Sequence, residues 1–254
     1  MKEIRISVVK YTNSAPFIYG LENHPLRDSV RLSHDTPADC YEKLLHDKTD
    51  LGLVPVVILN RLDYSDIVSP YCIGARGKVR SVILASHERL KDIRKIYLDY
   101  QSRTSVTLVQ ILAKKFWKIT PEFVPACEGF ETMKLEKGEA LVVIGDRAFD
   151  FHDADYRIYD LGEEWYRHTG KPFVFACWIA NKPIDPAFKP IFAEALQMGL
   201  DHRDELAGRL QPRFDAHRVD IKNYFFENIN YNFGPADEEG MNLFLNLMRL
   251  ILNR

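Results

Sequence analysis

Apolar residues recur along this chain at two spacings, and the alternation between them predicts its elements. Apolar or β-rich runs mark strands at Arg5–Lys10, Asp50–Pro55, Arg80–Ser86, Lys95–Leu98, Ala140–Ile144 and Phe173–Ala180. Helical spacing marks Phe17–Leu21, Asp39–Lys48 and the stretch from Leu108 through Val109, Leu112 and Phe116 to Trp117. After Asn181 the pattern is helical. Asp185-Pro186 reads as an N-cap followed by the first helical position, Phe188 to Leu200 lines one face, and Met241–Leu252 is a second amphipathic helix. Tyr224–Phe233, aromatic and rich in Asn, reads as an irregular packing segment. Strands alternating with helices predict an α/β protein with parallel, doubly wound sheets.

The informative polar residues sit where strands end. Ser102-Arg103-Thr104-Ser105 lies between the strand Lys95–Leu98 and the helix that follows. The first N–H groups of a helix have no intrahelical partner and favour an anion. Three hydroxyls and a guanidinium add matching donors. The plainer reading is helix capping, which also favours Ser and Thr. Asn13-Ser14 repeats the arrangement after the first strand and before Pro16, where an N-cap or Asx-turn is the alternative. Gly145-Asp146 follows Ala140–Ile144, and Asp146 is either a general base or a cap. Ser81, beside Arg80, is either a ligand contact or a strand-edge hydroxyl. Ligands of α/β folds bind outside strand ends, so four such junctions together point to one small-molecule site.

Gly74–Val79 and Gly170–Phe175 carry the glycines and prolines that suit chain crossings. If both cross, residues 80–174 form a lobe inserted into a first lobe made of residues 1–79 and 175–254, which holds both termini. A cleft between two such lobes is a natural ligand site.

Composition narrows the function. The chain has 254 residues, 46% hydrophobic and 28% charged, with a formal net charge of −2. That balance fits a globular protein and supplies no global field to draw in nucleic acid or an anionic membrane. Any anion must be held by local groups. Cys40, Cys72, Cys127 and Cys177 have no metal spacing and read as reduced thiols. Met1–Ile6 shows no signal-peptide pattern and no run reaches membrane-spanning length, so a cytoplasmic protein is expected. Walker A, GxGxxG, HExxH and GxSxG motifs are absent, and the 8 histidines form no metal spacing. No metal and no cofactor are expected.

Seven segments in order carry a resemblance. They are Tyr11-Thr-Asn-Ser-Ala-Pro-Phe, Asp50-Leu-Gly-Leu-Val-Pro-Val, Arg76-Gly-Lys-Val-Arg-Ser-Val, Asp99-Tyr-Gln-Ser-Arg-Thr-Ser, Ile144-Gly-Asp-Arg-Ala, Asp160-Leu-Gly-Glu-Glu-Trp and Thr169-Gly-Lys-Pro-Phe-Val-Phe-Ala. With them the chain resembles the chorismate dehydratase family of the futalosine route to menaquinone, from Ile4 to about Trp178. Thr12 and Lys78 depart from the Leu and Pro of the family pattern and leave the polar positions intact. The resemblance implies a two-lobe, periplasmic-binding-protein-like fold of the type 2, Venus-flytrap kind, with a ligand cleft between lobes that closes on its ligand. It also implies loss of water from chorismate, giving 3-[(1-carboxyvinyl)oxy]benzoate.

The family's catalytic positions map onto Asn13 and Ser81. Ser14, Ser102, Arg103, Thr104, Ser105, Gly145 and Asp146 are the expected substrate-binding residues. The expected partner is chorismate itself, with neither nucleic acid nor membrane insertion, and a contact with the next pathway enzyme is compatible with the resemblance. Two rival readings remain: a non-catalytic cytosolic module that binds a small carboxylate, and the sister enzyme that acts on cyclic dehypoxanthine futalosine. Fold alone does not choose among them.

Overall fold

The computed structural model of the protein describes residues 3–252. Its strands are β1 (Ile4–Val9), β2 (Val30–Asp35), β3 (Leu51–Pro55), β4 (Asp66–Ala75), β5 (Val82–Ser86), β6 (Lys95–Leu98), β7 (Glu122–Pro125), β8 (Glu139–Ile144), β9 (Arg157–Asp160), β10 (Phe173–Ala180) and β11 (Asn230–Asn232). Its helices are α1 (Ala15–Asn23), α2 (Pro37–Leu45), α3 (Thr104–Ile111), α4 (Leu161–Thr169), α5 (Phe188–Asp201), α6 (Arg203–Leu210), α7 (Ile221–Asn223) and α8 (Pro235–Leu252).

The chain divides into two compact units, Met1–Gly74 with Val174–Pro235, and Ala75–Phe173 with Ala236–Arg254. The sequence-based division kept residues 175–254 in the first lobe. The structure instead groups nearly all of α8 with the second unit, because that is where its apolar face is buried. Phe244 stands edge-on to Trp165 and Phe173, with ring centroids at 6.2 and 5.0 Å. Gly240 lies against Pro172, where an added Cβ would sit 2.1 Å from the carbonyl oxygen.

The first unit holds a six-stranded sheet in the order β11-β4-β10-β3-β1-β2. β1 runs parallel to β2 and β3, but β10 is antiparallel to β3 and β11 to β4. The second unit holds a five-stranded sheet, β7-β6-β8-β5-β9, in which β6 is parallel to β7 and β8 while β5 is antiparallel to β8 and β9. Both sheets are mixed, which corrects the expectation of parallel sheets. Apolar alternation reports which face is buried and carries no information on strand direction.

Local chemistry sets the helix ends. Thr36 Oγ1 accepts the Asp39 N–H at 3.2 Å and Pro37 opens α2, so that helix starts earlier than the apolar spacing suggested and ends at Leu45. Asp160 accepts the Gly162 and Glu163 N–H groups, and Gly170 closes α4 in the left-handed region at φ 67°. The expected helix through Trp117 changes to a π-turn over Leu112–Trp117. In the first unit Trp178 is fully buried edge-on to Phe17 and Phe192. Burying each such side chain contributes about 1.5–3 kcal/mol or more. Glu164 is buried on α4 and accepts the Trp117 indole N–H at 2.7 Å.

Candidate functional site

One end of the second unit's sheet collects three of the four polar junctions. Tyr97 pairs with Leu141 and Val82 with Ile144, so the chain leaving β6, the chain leaving β8 and the chain entering β5 lie at the same end. Those three segments are Asp99–Ser105, Gly145–Asp146 and Arg80–Ser81. The Gly145 N–H donates to the Ser81 carbonyl at 2.9 Å. Gly145 has φ 65°, a conformation in which a side chain would be strained.

The turn before Ser81 is held by one buried carboxylate. Asp160 accepts the Val79 and Arg80 N–H groups at 3.1 and 2.6 Å in addition to its two capping bonds on α4. Arg80 sits in the left-handed region at φ 64°, and Ser81 itself is buried. An uncommon backbone conformation at a non-glycine residue persists only where its surroundings over-determine it.

The Ser102–Ser105 string divides into distinct roles. Ser102 Oγ accepts the Ser105 N–H at 3.0 Å, which is the capping role weighed from sequence. Arg103 is exposed at the N-cap position of α3. Thr104 and Ser105 are buried, and the Thr104 hydroxyl has no hydrogen-bond partner. A buried hydroxyl without a partner costs about 1–3 kcal/mol and needs an explanation. At the start of a helix, where N–H groups carry partial positive charge, an anionic oxygen would be a chemically suitable partner.

The fourth junction belongs to the first unit. Asn13 and Ser14 lie on a 3-10 turn, Thr12–Ser14, between β1 and α1. Ser14 Oγ donates to Asn13 Oδ1 at 3.1 Å, and no side chain caps α1. The capping alternative for this pair is therefore not what the fold uses. The Asn13 carbonyl accepts the hydroxyl of Tyr231 at 2.9 Å, from β11 at the far end of the sequence. Burial pushes the Tyr231 phenol well above its ordinary pKa, so it stays a neutral donor.

Three contributing residues escaped the sequence reading. Tyr231 fell in a segment read as irregular packing. Asp99 and Arg147 stood inside recognised segments without an assigned role, yet they form a bidentate ion pair at 3.0 and 2.8 Å. Burial raises the Asp99 carboxyl and the Arg147 guanidinium opposes that shift. Asp146 occupies the first turn of the 3-10 segment Gly145–Asp150. Among the described residues no group of His, Cys, Asp and Glu is arranged to hold a metal, and no helix is long and apolar enough to cross a membrane.

The sequence model of a family described as menaquinone biosynthesis matches residues 4–249. A chorismate dehydratase from Thermus thermophilus is 26% identical over 271 residues, covering 98% of this chain and 97% of that protein. Among solved structures, protein AF1704 from Archaeoglobus fulgidus superimposes with a TM-score of 0.76 at 13% identity, over 99% of this chain and 98% of that one. The periplasmic aliphatic sulphonate binding protein SsuA from Escherichia coli gives a TM-score of 0.61 at 16% identity, over 100% and 92%. The fold is periplasmic-binding-protein-like.

Proposed function

The chain belongs to the menaquinone biosynthesis family, and from that premise we propose that it is a chorismate dehydratase, a hydro-lyase that releases water and 3-[(1-carboxyvinyl)oxy]benzoate. The observation that carries the reading is the buried, unpartnered Thr104 hydroxyl at the start of α3, at the sheet end where Ser81 and Gly145 meet. Together with the named relative from Thermus thermophilus, it favours a carboxylate-bearing ring as the ligand.

Chorismate is a dianion with a hydroxyl leaving group. Loss of the C3 proton and the C4 hydroxyl leaves an aromatic ring, which provides the driving force. In this reading Thr104, Ser105, Arg103 and the first N–H groups of α3 hold one carboxylate. Ser81 holds a ligand oxygen. Asn13 orients the enolpyruvyl carboxylate or the departing hydroxyl, since its amide both donates and accepts. The substrate's own enolpyruvyl carboxylate removes the C3 proton, with Asp146 as the alternative base. An oriented internal base supplies on the order of 7–11 kcal/mol in the best cases.

Incubating the pure protein with chorismate and following the product by mass tests the reading. Loss of one water from each chorismate is expected. Binding without any mass change would instead favour the non-catalytic binding module. Thr104→Val keeps the shape of the side chain and removes the hydroxyl, so chorismate affinity should fall at least tenfold while thermal stability holds or rises. Asp146→Asn separates the two bases: retained turnover supports the substrate carboxylate, and abolished turnover with intact binding supports Asp146.

A further inference from the structure

We propose that the Asp99–Arg147 pair is the positioning device that sets the Ser102–Ser105 string against the Gly145–Asp146 turn. The functional part of this inference rests on the chorismate reading above, and the structural part does not. Asp99 follows β6 and precedes the string, and Arg147 follows Asp146. The carboxylate of Asp99 accepts the Gln101 N–H at 2.9 Å on one side and the Ile144 N–H at 3.1 Å on the other. Its main-chain carbonyl accepts the Ser102 N–H at 3.3 Å. One side chain therefore pins the residue just before the string and the residue just before Gly145.

Arg147 completes the brace. Its Nη2 contacts both Asp99 oxygens and its Nη1 lies 3.4 Å from Glu131. The guanidinium also lies 5.4 and 5.7 Å from the centroids of the Tyr100 and Phe130 rings. A planar fork held by two carboxylates and two ring faces has little freedom, unlike a lysine. Gly145 in turn donates to the Ser81 carbonyl, so the same brace reaches the third polar segment.

A matched pair at the opposite end of the same two strands provides the control. Glu139, on β8, is buried like Asp99 and accepts Lys95 Nζ at 2.9 Å, the Tyr97 hydroxyl at 2.9 Å and the Glu136 N–H at 3.0 Å. It has the same kind of partners and touches none of the candidate site residues. A general loss of stability would follow from breaking either pair, whereas a loss of positioning would follow only from breaking Asp99–Arg147.

The experiment compares Asp99→Asn, Arg147→Met, Arg147→Lys and Glu139→Gln with the wild type by two readouts. The first is the Kd for chorismate. The second, on protein without ligand, is amide hydrogen exchange at Gly145 and Ser105, with Lys95 as the distant reference. We expect Asp99→Asn and Arg147→Met to weaken chorismate at least tenfold, Arg147→Lys to fall between them and the wild type, and Glu139→Gln to stay within twofold. Gly145 and Ser105 should exchange at least tenfold faster in the first two variants and unchanged in Glu139→Gln. Unchanged exchange at those amides in folded variants would overturn the proposal. Faster exchange with unchanged chorismate affinity would overturn its functional part. If the wild type binds no chorismate, the dehydratase reading fails, and exchange alone then decides the brace. Should Asp99→Asn not fold, the two Arg147 variants carry the same comparison.

Discussion

Replacing Gly199 with alanine should be among the most damaging single-methyl additions to this protein. Gly199 lies on α5, where that helix crosses α1. A Cβ built at Gly199 would fall 1.8 Å from the Pro16 carbonyl oxygen and 2.9 Å from the Gly20 nitrogen. At Gly20 the reciprocal Cβ would fall 2.0 Å from the Ala195 carbonyl oxygen. Carbon and oxygen rest at roughly 3.3–3.6 Å, so the helices must separate by about 1.5 Å at this point. The obstacle is backbone, which no rotamer change relieves, and overpacking of a tight interior costs about 1–3 kcal/mol. The upper end of that range applies here. A loss of about 3 kcal/mol corresponds to a Tm fall of roughly 6–12 °C in a chain of this size. Urea unfolding should show a lower midpoint with an unchanged m-value. Gly208, on α6, is the internal contrast: nothing lies within 4 Å of a Cβ built there. Gly208→Ala should therefore stabilise by about 0.5–1 kcal/mol through helix propensity. A Gly199→Ala protein melting within about 1 °C of the wild type would refute the packing argument. Because α1 begins two residues after Asn13, the same variant should also slow chorismate turnover in the folded fraction.

Tyr231→Phe removes a single hydroxyl and strands the Asn13 carbonyl, so about 1–3 kcal/mol of stability should be lost together with turnover; unaltered kcat in the folded variant would detach Tyr231 from Asn13. Burial alone would raise the Asp50 carboxyl, but hydrogen bonds from Arg5 and Lys182 overcome it and hold it well below the usual carboxylate range. Its stabilisation is thus complete above the unfolded-state pKa near about 4 and drains away as pH falls through the lower folded value. Asp50→Asn should flatten the acid limb of a stability profile below about pH 4, and an identical limb in both proteins would reject this assignment. Among the thiols, Cys127 is exposed while Cys40, Cys72 and Cys177 are buried, and burial pushes Cys40 up to about 12. A thiol reagent should modify one cysteine rapidly in the folded protein and four on unfolding; two fast thiols would contradict the burial pattern.

How much of this was legible before folding depends on the range of each interaction. The strands Leu51–Pro55, Glu139–Ile144 and Phe173–Ala180 are buried at every position, and a continuous apolar run announces them. β2 escaped notice because it is a sheet edge, only partly buried, with Arg31, Ser33 and His34 interrupting the apolar residues. β4 escaped because Pro70 interrupts it. Strand direction stayed hidden because β10 and β5 enter their sheets antiparallel to β3 and β8, and alternation is the same read either way. At the site, polar residues within one turn were readable as strand-end chemistry. Contacts between distant segments were not: 218 positions separate Tyr231 from Asn13 and 48 separate Arg147 from Asp99.

The division of labour among the charged groups explains why familiar motif searches miss such a site. Arg147 is matched by Asp99 and Glu131, and the Asp160 carboxylate is met by four backbone N–H groups. These charges shape the turns, and their partners compensate them. In the proposed reading, what the sheet end offers a ligand is the partial charge of a helix start and a buried hydroxyl on Thr104. Fixed dipoles of this kind need no reorganisation when an anion arrives, so their strength comes from being held in place. Neither a lysine-rich loop nor a glycine fingerprint is required, and the remaining trace in sequence is hydroxyl residues at a strand-to-helix junction. That trace is shared with ordinary capping, as Ser102 demonstrates by accepting the Ser105 N–H at the start of α3, two positions before the buried Thr104. The two roles separate only when coordinates reveal which hydroxyl is already satisfied and which is left without a partner.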